Sequence, residues 1–240
     1  MRRLFISDLH LEDKRPEITR ALFSLLDHFN DKIDELYILG DLFEIWLGDD
    51  ALTETAKRVS ERLNKLSETG AAVFIMHGNR DFLLGEQFCE ASAANLIEDP
   101  HIIHMDGRKV LLMHGDTLCI EDQLYMDFRN TVRNSTWQKA FLQKSIEERI
   151  AFGKQARNQS QEDAKEKSYE ILDVTPSEVI RVMDHHQVDL FIHGHTHRPA
   201  RHTLITQAGP SERIVLGDWH KQGWYLYQDD NQLELKSFQF

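Results

Sequence analysis

Residues 1–10 of the chain read MRRLFISDLH, a short apolar strand that runs directly into Asp8 and His10. The same arrangement recurs further along, where apolar segments end in polar residues beside glycine. The recurring clusters are Gly40-Asp41, Gly78-Asn79-Arg80-Asp81, His114-Gly115-Asp116 and Gly194-His195-Thr196-His197. Helical patterns separate several of these strands, and that alternation predicts a layered α/β fold. Because ligands bind at the carboxyl ends of strands in open α/β sheets, the five clusters are predicted to form one site.

The remaining chain is predicted to divide into a core and an insertion. Residues 121–170 contain no proline and carry apolar side chains at helical spacing, which predicts a helical insertion. The tail beyond residue 204 is predicted to form a run of antiparallel strands. We therefore expect residues 1–120 and 171–240 to form the core and residues 121–170 to form a cap.

Composition and charge argue against several classes of protein. The chain has 240 residues, 41% of them hydrophobic, and contains no apolar run near the roughly 20 residues that span a bilayer. The first ten residues make a poor signal peptide, so we expect a cytoplasmic location. Two cysteines, Cys89 and Cys119, do not make a disulfide framework. The net charge of −12 argues against a general nucleic-acid binder.

Charge is unevenly distributed along the chain. Residues 133–160 carry six Lys or Arg and two Glu, a balance of +4, whereas the rest of the chain carries −16. Basic amphipathic helices are attracted to anionic membrane surfaces. The insertion is therefore a candidate for contact with such a surface.

The polar clusters offer donors for metal ions. In extended backbone, residues i and i+2 point the same way, so Asp8 and His10 present two donors to one side. His195 and His197 have the same spacing. The whole donor set is Asp8, His10, Asp41, Asn79, His114, His195 and His197. Mixed oxygen and imidazole donors suit Mn²⁺, Fe²⁺ or Zn²⁺ better than Mg²⁺ or Ca²⁺ alone. Seven donors are too many for one ion that also holds substrate, and they fit two ions bridged by Asp41.

The order of these motifs resembles that of the calcineurin-like metallophosphoesterase superfamily, whose pattern is DxH…GD…GNH[DE]…H…GHxH. The resemblance spans nearly the whole chain and implies a four-layer αββα sandwich with a two-ion centre. It places one ion at Asp8, His10, Asp41 and His197. It places the other at Asp41, Asn79, His114 and His195.

One position departs from the superfamily pattern. Arg80 follows Asn79, where the superfamily commonly has a histidine that assists the leaving group or the phosphate. Arginine does not act as a general acid, but it can hold a phosphate through two hydrogen bonds. The departure favours a reaction whose leaving group needs no proton, such as cleavage of a pyrophosphate. The alternative is a surface arginine paired with Asp81.

Longer strings around the motifs narrow the resemblance. They are GDLFEIWLGDD at 40–50, MHGNRDFLLG at 76–85, LMHGDTLCIED at 112–122 and HGHTHRP at 193–199. These strings resemble the UDP-2,3-diacylglucosamine diphosphatase family of lipid A synthesis. That resemblance implies water attack on the α-phosphorus of a lipid-linked nucleotide sugar, giving UMP and 2,3-diacylglucosamine 1-phosphate (lipid X). It also implies Mn²⁺ as cofactor and a peripheral location on the cytoplasmic face of the inner membrane, with no obligate protein partner.

The same resemblance implies roles for individual residues. The implied substrate contacts are Asn79, Arg80, Asp122, Ser160, Lys167 and His195. The implied catalytic residues are Asp41, Arg80 and His195. Weaker candidates for substrate contact, in the insertion or in the family-like strings, are Arg157, Lys165, Trp46, Tyr125, Phe128 and Phe141.

Two other interpretations remain open at this level. The first is another two-ion metallophosphoesterase, such as a nucleotide pyrophosphatase or a cyclic-nucleotide phosphodiesterase, which would not need an aromatic, basic cap. The second is a metal-free binding module, which is expected to have lost some of the seven donors. Each aromatic of the insertion can also pack simply into the core of that insertion.

Overall fold

The computed structural model describes the backbone of residues 1–166, 171, 173–230 and 232–240, and all of their side chains except those of 161 and 164–166. The elements in chain order are β1 (Arg3–Ile6), α1 (Pro16–His28), β2 (Glu35–Leu39), α2 (Glu54–Glu68), β3 (Ala72–Met76), α3 (Glu86–Ser92), β4 (Ala94–Ile97), β5 (His101–Met105), β6 (Arg108–Met113), α4 (Gln123–Val132), α5 (Ser135–Leu142), α6 (Ile146–Glu166), α7 (Pro176–His186), β7 (Leu190–His193), β8 (Ala200–Thr206), β9 (Gly209–Val215), β10 (Gly223–Gln228) and β11 (Leu233–Phe238).

The strands form two sheets. The first has six strands in the order β11-β10-β1-β2-β3-β4, and β1 to β4 run parallel to one another. The second has five strands in the order β5-β6-β7-β9-β8, in which β6, β7 and β9 are parallel. Parallel strands point their carboxyl ends to the same edge, so each sheet offers one edge for a site.

Alternation along the strands explains how the sheets pack. In β1, Phe5 lies in a buried cluster that also contains Leu39 of the first sheet and Leu112 and Ile192 of the second. Leu4 and its strand neighbours on the opposite face belong to a different cluster. Because successive side chains of a strand point to opposite faces, the first cluster is the layer between the two sheets.

Helices cover the outer faces. Val59 and Leu63 of α2 pack with Leu4 in the cluster that α1 also joins, and the hydroxyl of Thr53 caps α2 by accepting a hydrogen bond of 3.1 Å from the N–H of Ala56. On the other side, Met183 of α7 packs with the second sheet. The four-layer αββα prediction is confirmed.

Two details of the prediction were wrong or missing. The tail does not form one run of antiparallel strands: β8 and β9 belong to the second sheet, β10 and β11 to the first, and β9 runs parallel to β7. The strand β4 was not predicted. The helices α4, α5 and α6 occupy the predicted insertion, while their role as a cap remains a proposal.

Candidate metal centre

The predicted ligands all follow strands at their carboxyl ends. Asp8, Asp41 and Asn79 come two or three residues after β1, β2 and β3 of the first sheet. His114 and His195 follow β6 and β7 of the second sheet. The centre therefore lies where the carboxyl edges of the two sheets meet.

Backbone strain is concentrated at the predicted metal donors. Five of the seven donors have left-handed backbones, with φ of 56° at Asp8, 50° at His10, 52° at Asp41, 68° at His195 and 57° at His197. A residue with a Cβ loses roughly 1–2 kcal/mol in that conformation. Strain of this kind clusters at functional sites, where the surrounding structure holds it in place.

One half of the centre is formed by Asp8, His10 and His197. The Nε2 atoms of His10 and His197 lie 3.2 Å apart, and the Nε2 atom of His197 lies 3.5 Å from Oδ1 of Asp8. The backbone N–H of His195 donates to both carboxylate oxygens of Asp8, at 3.1 and 3.0 Å. The Asp8 carboxylate is thereby held facing the two imidazoles.

The other half is formed by Asn79, His114 and His195. The Oδ1 atom of Asn79 lies 2.9 Å from Nε2 of His114 and 2.9 Å from Nδ1 of His195. Asp41 stands between the halves: its Oδ2 lies 3.8 Å from Nε2 of His10, and its Oδ1 lies 3.8 Å from Nε2 of His114. Each carboxylate oxygen of Asp41 therefore faces a different half, as a bridging ligand requires.

The donor set fits divalent ions. Among the described residues, two groups bring one ligand atom each to within 4.8 Å of one another: Asp8 with His10 and His197, and Asp8 with Asp41 and His114. Imidazole nitrogens and carboxylate oxygens at this spacing suit Mn²⁺, Fe²⁺ or Zn²⁺. The two groups share Asp8, whereas the resemblance assigns Asp8 to one ion and shares Asp41 between the two. The carboxylate orientation of Asp41 described above favours Asp41 as the bridge.

Burial and charge set the protonation of the donors. Burial raises the pKa of Asp41 because it disfavours the charged carboxylate. Burial lowers the pKa of His195 to about 3, with a further contribution from the positive charge on His114, so the His195 imidazole is neutral and able to bind a metal. For His114, burial acts downward, but the charges of Asp41 and Asp8 raise the pKa to about 9. The raised pKa of His114 thus reflects the negative charge of the nearby carboxylates. A bound divalent ion can neutralise that charge in place of the proton.

Asp81 fixes the loops that carry the donors. This fully buried carboxylate accepts hydrogen bonds from the backbone N–H of Leu42 at 2.7 Å and of Gly78 at 2.8 Å. A Cβ at Gly78 would stand 2.1 Å from Oδ1 of Asp41, so only glycine fits there. Asp81 therefore holds the Asp41 loop against the turn that carries Asn79, a role that the sequence did not reveal.

A second buried carboxylate ties the insertion to the centre. Asp116, two residues after His114, accepts hydrogen bonds from the hydroxyl of Tyr125 and from Nε of Arg129 at 2.7 Å. The ring of Tyr125 lies 6.1 Å from that of His195. Helix α4 is thus fixed beside the Asn79 half of the centre.

Glu44 is a further residue that sequence reasoning missed. Its Oε2 lies 3.1 Å from Nδ1 of His10, and its Oε1 lies 3.1 Å from Nη1 of Arg157. Burial alone would raise the pKa of Glu44, but the hydrogen bond to His10 and the charges of Arg80 and Arg157 lower it. The available signal was its place in the string GDLFEIWLGDD, three residues after Asp41.

Two of the predicted substrate contacts, Asn79 and His195, are also metal donors, and Arg80 adjoins the first of them. The backbone N–H of Arg80 donates to Oδ1 of Asp41 at 2.8 Å, and its buried Nε has no hydrogen-bond partner in the part of the chain that the structure describes. Asp122 caps α4 by accepting a hydrogen bond from the N–H of Tyr125 at 3.1 Å. Ser160 is exposed on α6. Lys167 and the side chain of Lys165 lie outside the described residues.

The weaker aromatic candidates fall into two groups. Trp46 is buried and packs edge-on against Phe88, and Phe141 is buried in a stack with Trp137, so both support neighbouring elements. Phe128 is 39% exposed on α4 and remains available for contact.

Residues 1–199 match the calcineurin-like phosphoesterases. The chain belongs to this family of metal-dependent phosphoesterases, as its two-sheet fold and its donor set predict. The UDP-2,3-diacylglucosamine hydrolase of Cellvibrio japonicus is 50% identical to the chain over 238 residues, which cover 99% of each protein. The protein of the same name from Pseudomonas entomophila is 47% identical over 239 residues, again 99% of each.

Every helix within the described residues is too short or too polar to span a lipid bilayer.

Proposed function

We propose that this chain hydrolyses the pyrophosphate bond of UDP-2,3-diacylglucosamine, giving UMP and 2,3-diacylglucosamine 1-phosphate. The observation that carries the proposal is the identity of 50% along nearly the whole length with a UDP-2,3-diacylglucosamine hydrolase. The clustering of all seven predicted donors at one edge of the sandwich is consistent with it.

Two Mn²⁺ ions are the proposed cofactors. Asp8, His10, Asp41 and His197 would hold one, and Asp41, Asn79, His114 and His195 would hold the other. When bound, such ions would supply an activated water and would neutralise charge on a transferring phosphoryl group. The protein supplies the fixed geometry, since Asp81 and Asp8 anchor the surrounding loops through backbone N–H groups.

Arg80 is the proposed phosphate-binding residue. Its backbone N–H donates to Oδ1 of Asp41, so the residue stands directly beside the proposed bridging carboxylate. A guanidinium binds phosphate oxygens through two parallel hydrogen bonds and does not transfer a proton. Arg80 therefore suits a pyrophosphate, whose leaving phosphate needs no proton. The other proposed catalytic residues are Asp41 and His195.

The insertion at residues 121–170 is the proposed substrate cap. Asp122, Ser160, Lys167 and Arg157 are its proposed polar contacts, and Tyr125 and Phe128 its proposed apolar ones. The cap is held to the metal centre by the hydrogen bonds of Asp116 described above.

The cap also offers a surface for membrane contact. Leu124 and Phe128 lie one turn apart on α4 and are 65% and 39% exposed, and Ile120, in the turn just before the cap, is 42% exposed. Apolar side chains on one helix face beside basic residues favour an anionic lipid surface. We propose a cytoplasmic protein that binds the inner face of the inner membrane peripherally through this side.

The hydrolysis is tested with purified protein, Mn²⁺ and UDP-2,3-diacylglucosamine. UMP should appear, EDTA should abolish its release, and in H₂¹⁸O the label should enter UMP, because water attacks the α-phosphorus. Label in the lipid product would place the attack on the β-phosphorus instead. Equal or faster turnover of UDP-glucose or cyclic AMP would favour another metallophosphoesterase activity and overturn the proposal.

The membrane contact is tested separately by sedimentation with anionic vesicles. Leu124→Glu should weaken binding, whereas Leu96→Glu, at a residue 41% exposed on β4, should not. Equal binding by both variants would show that the α4 side does not make the contact.

A further inference from the structure

The backbone places Glu44 beside a metal ligand. Beyond the ends of β1 and β2 the two chains continue side by side: the N–H of His10 donates to the carbonyl of Asp41 at 3.0 Å, and the N–H of Glu44 donates to that of Leu11 at 3.1 Å. This pairing sets the register of the two loops. Glu44 is thereby fixed on the side of His10 away from the other donors.

His10 uses its two ring nitrogens for different purposes. Nε2 faces the donors His197 and Asp41, whereas Nδ1 lies 3.1 Å from Oε2 of Glu44, an ion-pair contact whose N–H direction is not that of a well-formed hydrogen bond. A histidine that donates its Nδ1–H keeps a lone pair on Nε2 for a metal ion, and a carboxylate partner fixes the ring. His114 is oriented comparably, but with its Nδ1 2.9 Å from the backbone carbonyl of Leu39.

The other oxygen of Glu44 faces the insertion. Arg149 of α6 donates to the carbonyl of Leu47 at 2.6 Å, and Gly153, one turn later, packs against Ile45. Arg157 follows one further turn along and reaches Glu44. One face of α6 thus runs along the loop that carries Glu44, and the ion pair of Arg157 shares Glu44 with the donor His10.

We propose that Glu44 is a positioning residue that links the metal centre to the phosphate-binding side chains. Oε2 orients His10 for its ion, and Oε1 holds Arg157 at the mouth of the site, where the guanidinium keeps further N–H groups for an anionic substrate. A guanidinium has five donors, so Arg157 can bind a pyrophosphate while it remains paired with Glu44. The part that concerns the pyrophosphate rests on the proposed function; the part that concerns the ion does not.

Three substitutions separate the two roles. Glu44→Ala removes both contacts. Glu44→Gln keeps an oxygen that accepts the Nδ1–H of His10 but loses the charge that holds Arg157. Arg157→Ala removes only the second contact. Glu90→Ala, at an exposed residue of α3, is the matched control because it removes one carboxylate elsewhere.

Mn²⁺ affinity is measured by calorimetry on metal-free protein without substrate. Glu44→Ala should raise the Kd of the one ion that His10 would hold roughly 10- to 100-fold, the usual effect of losing the partner of a ligating histidine. Glu44→Gln should lose less affinity, and Arg157→Ala and Glu90→Ala should match the wild type. Wild-type Mn²⁺ affinity in Glu44→Ala would overturn the metal part, and a Glu44→Gln protein as weak as Glu44→Ala would overturn the proposed hydrogen bond from Nδ1 of His10 to residue 44.

The second role of Glu44, holding Arg157 for the substrate, is tested by measuring KM for UDP-2,3-diacylglucosamine. Glu44→Gln and Arg157→Ala should each raise KM, and the double variant Glu44→Gln/Arg157→Ala should be no worse than Arg157→Ala, because Glu44 acts through Arg157. Additive effects on KM would overturn the link between the two residues. A wild-type protein that does not hydrolyse this substrate would overturn the proposed function and the KM part with it, while the Mn²⁺ measurement would still decide the orientation of His10.

Discussion

The Nε2 atoms of His10 and His197 lie 3.2 Å apart, although 187 positions separate the two residues in the sequence. His10 follows a strand of the six-stranded sheet, and His197 follows a strand of the five-stranded sheet. The donors therefore meet only when the two sheets are packed, so metal binding is coupled to the tertiary fold rather than to either sheet alone.

Metal ions should consequently stabilise the folded chain. A ligand that binds only the native state adds about 2.7 kcal/mol to the free energy of unfolding at 100 times its Kd. Denaturant unfolding with EDTA and with saturating Mn²⁺ measures the difference. Unfolding curves that coincide in the two conditions would mean that the donors do not hold the ion in the native state.

Asp41→Ala should abolish binding of both ions and hydrolysis together, because each oxygen of this carboxylate faces one half of the centre. The loss in kcat/KM should exceed the roughly 100-fold that follows removal of an outer partner of a ligand. Asp41→Asn keeps one oxygen and should retain at most one ion. A near-normal rate in Asp41→Ala would refute the bridging assignment.

The sequence predicted the metal donors better than the residues that hold those donors in position. Asp8, Asp41 and His195 each stand just after an apolar strand, and parallel strands bring their carboxyl ends to one edge, so local pattern suffices to group them. Glu44 does not stand directly after an apolar strand, so this local pattern does not identify it. Its two contacts, to His10 and to Arg157, depend on loop register and on how α6 packs against a loop more than 100 residues earlier.

The fold, like the site, could be predicted from local sequence pattern only in part. The alternation of apolar residues identified β1 and its parallel neighbours, but β4 is a short, half-exposed edge strand with little apolar pattern. Hydrophobic pattern also cannot tell which of two sheets a strand joins. For that reason the tail was predicted as one antiparallel run, whereas β9 lies beside β7 and β10 lies beside β1.

Arg129→Leu should destabilise the chain by about 3 kcal/mol, because it leaves the buried carboxylate of Asp116 without its cation. Asp116→Asn in the same chain should recover part of the loss. The surface pair of Arg108 with Asp189 provides the control, since both side chains are more than a third exposed and Arg108→Leu should cost at most about 1 kcal/mol. Denaturant unfolding compares the variants, and equal effects at the two arginines would contradict the buried role of Asp116.

The two cysteines should be unreactive in the folded chain. Burial, with smaller contributions from nearby carboxylates, raises the pKa of Cys89 to about 11 and that of Cys119 to about 12. At pH 8 only about one Cys89 thiol in a thousand is then ionised, and the thiolate is the reactive form. A thiol reagent such as DTNB should modify neither residue in native protein and both in denaturant. Rapid modification of native protein would show that the thiols are accessible.

Backbone strain outside the metal centre should be removable by substitution with glycine. Ala93 ends α3 with φ of 51°, the same left-handed region that the donors occupy, but its side chain is exposed. Glycine adopts this conformation freely, so Ala93→Gly should raise the free energy of unfolding by about 0.5–1 kcal/mol, although glycine is more flexible when unfolded.

The matched control for Ala93 lies two residues earlier in the same helix. Ala91 is also exposed, but its backbone is helical, so Ala91→Gly should lower stability by about 1 kcal/mol. If Ala→Gly raises the free energy of unfolding at residue 93 and lowers it at residue 91, the gain comes from relief of backbone strain and not from a general effect of glycine. A loss of stability in both variants would contradict the assigned backbone of Ala93. At His197, with φ of 57°, the same relief is not available, because glycine there would remove a metal ligand.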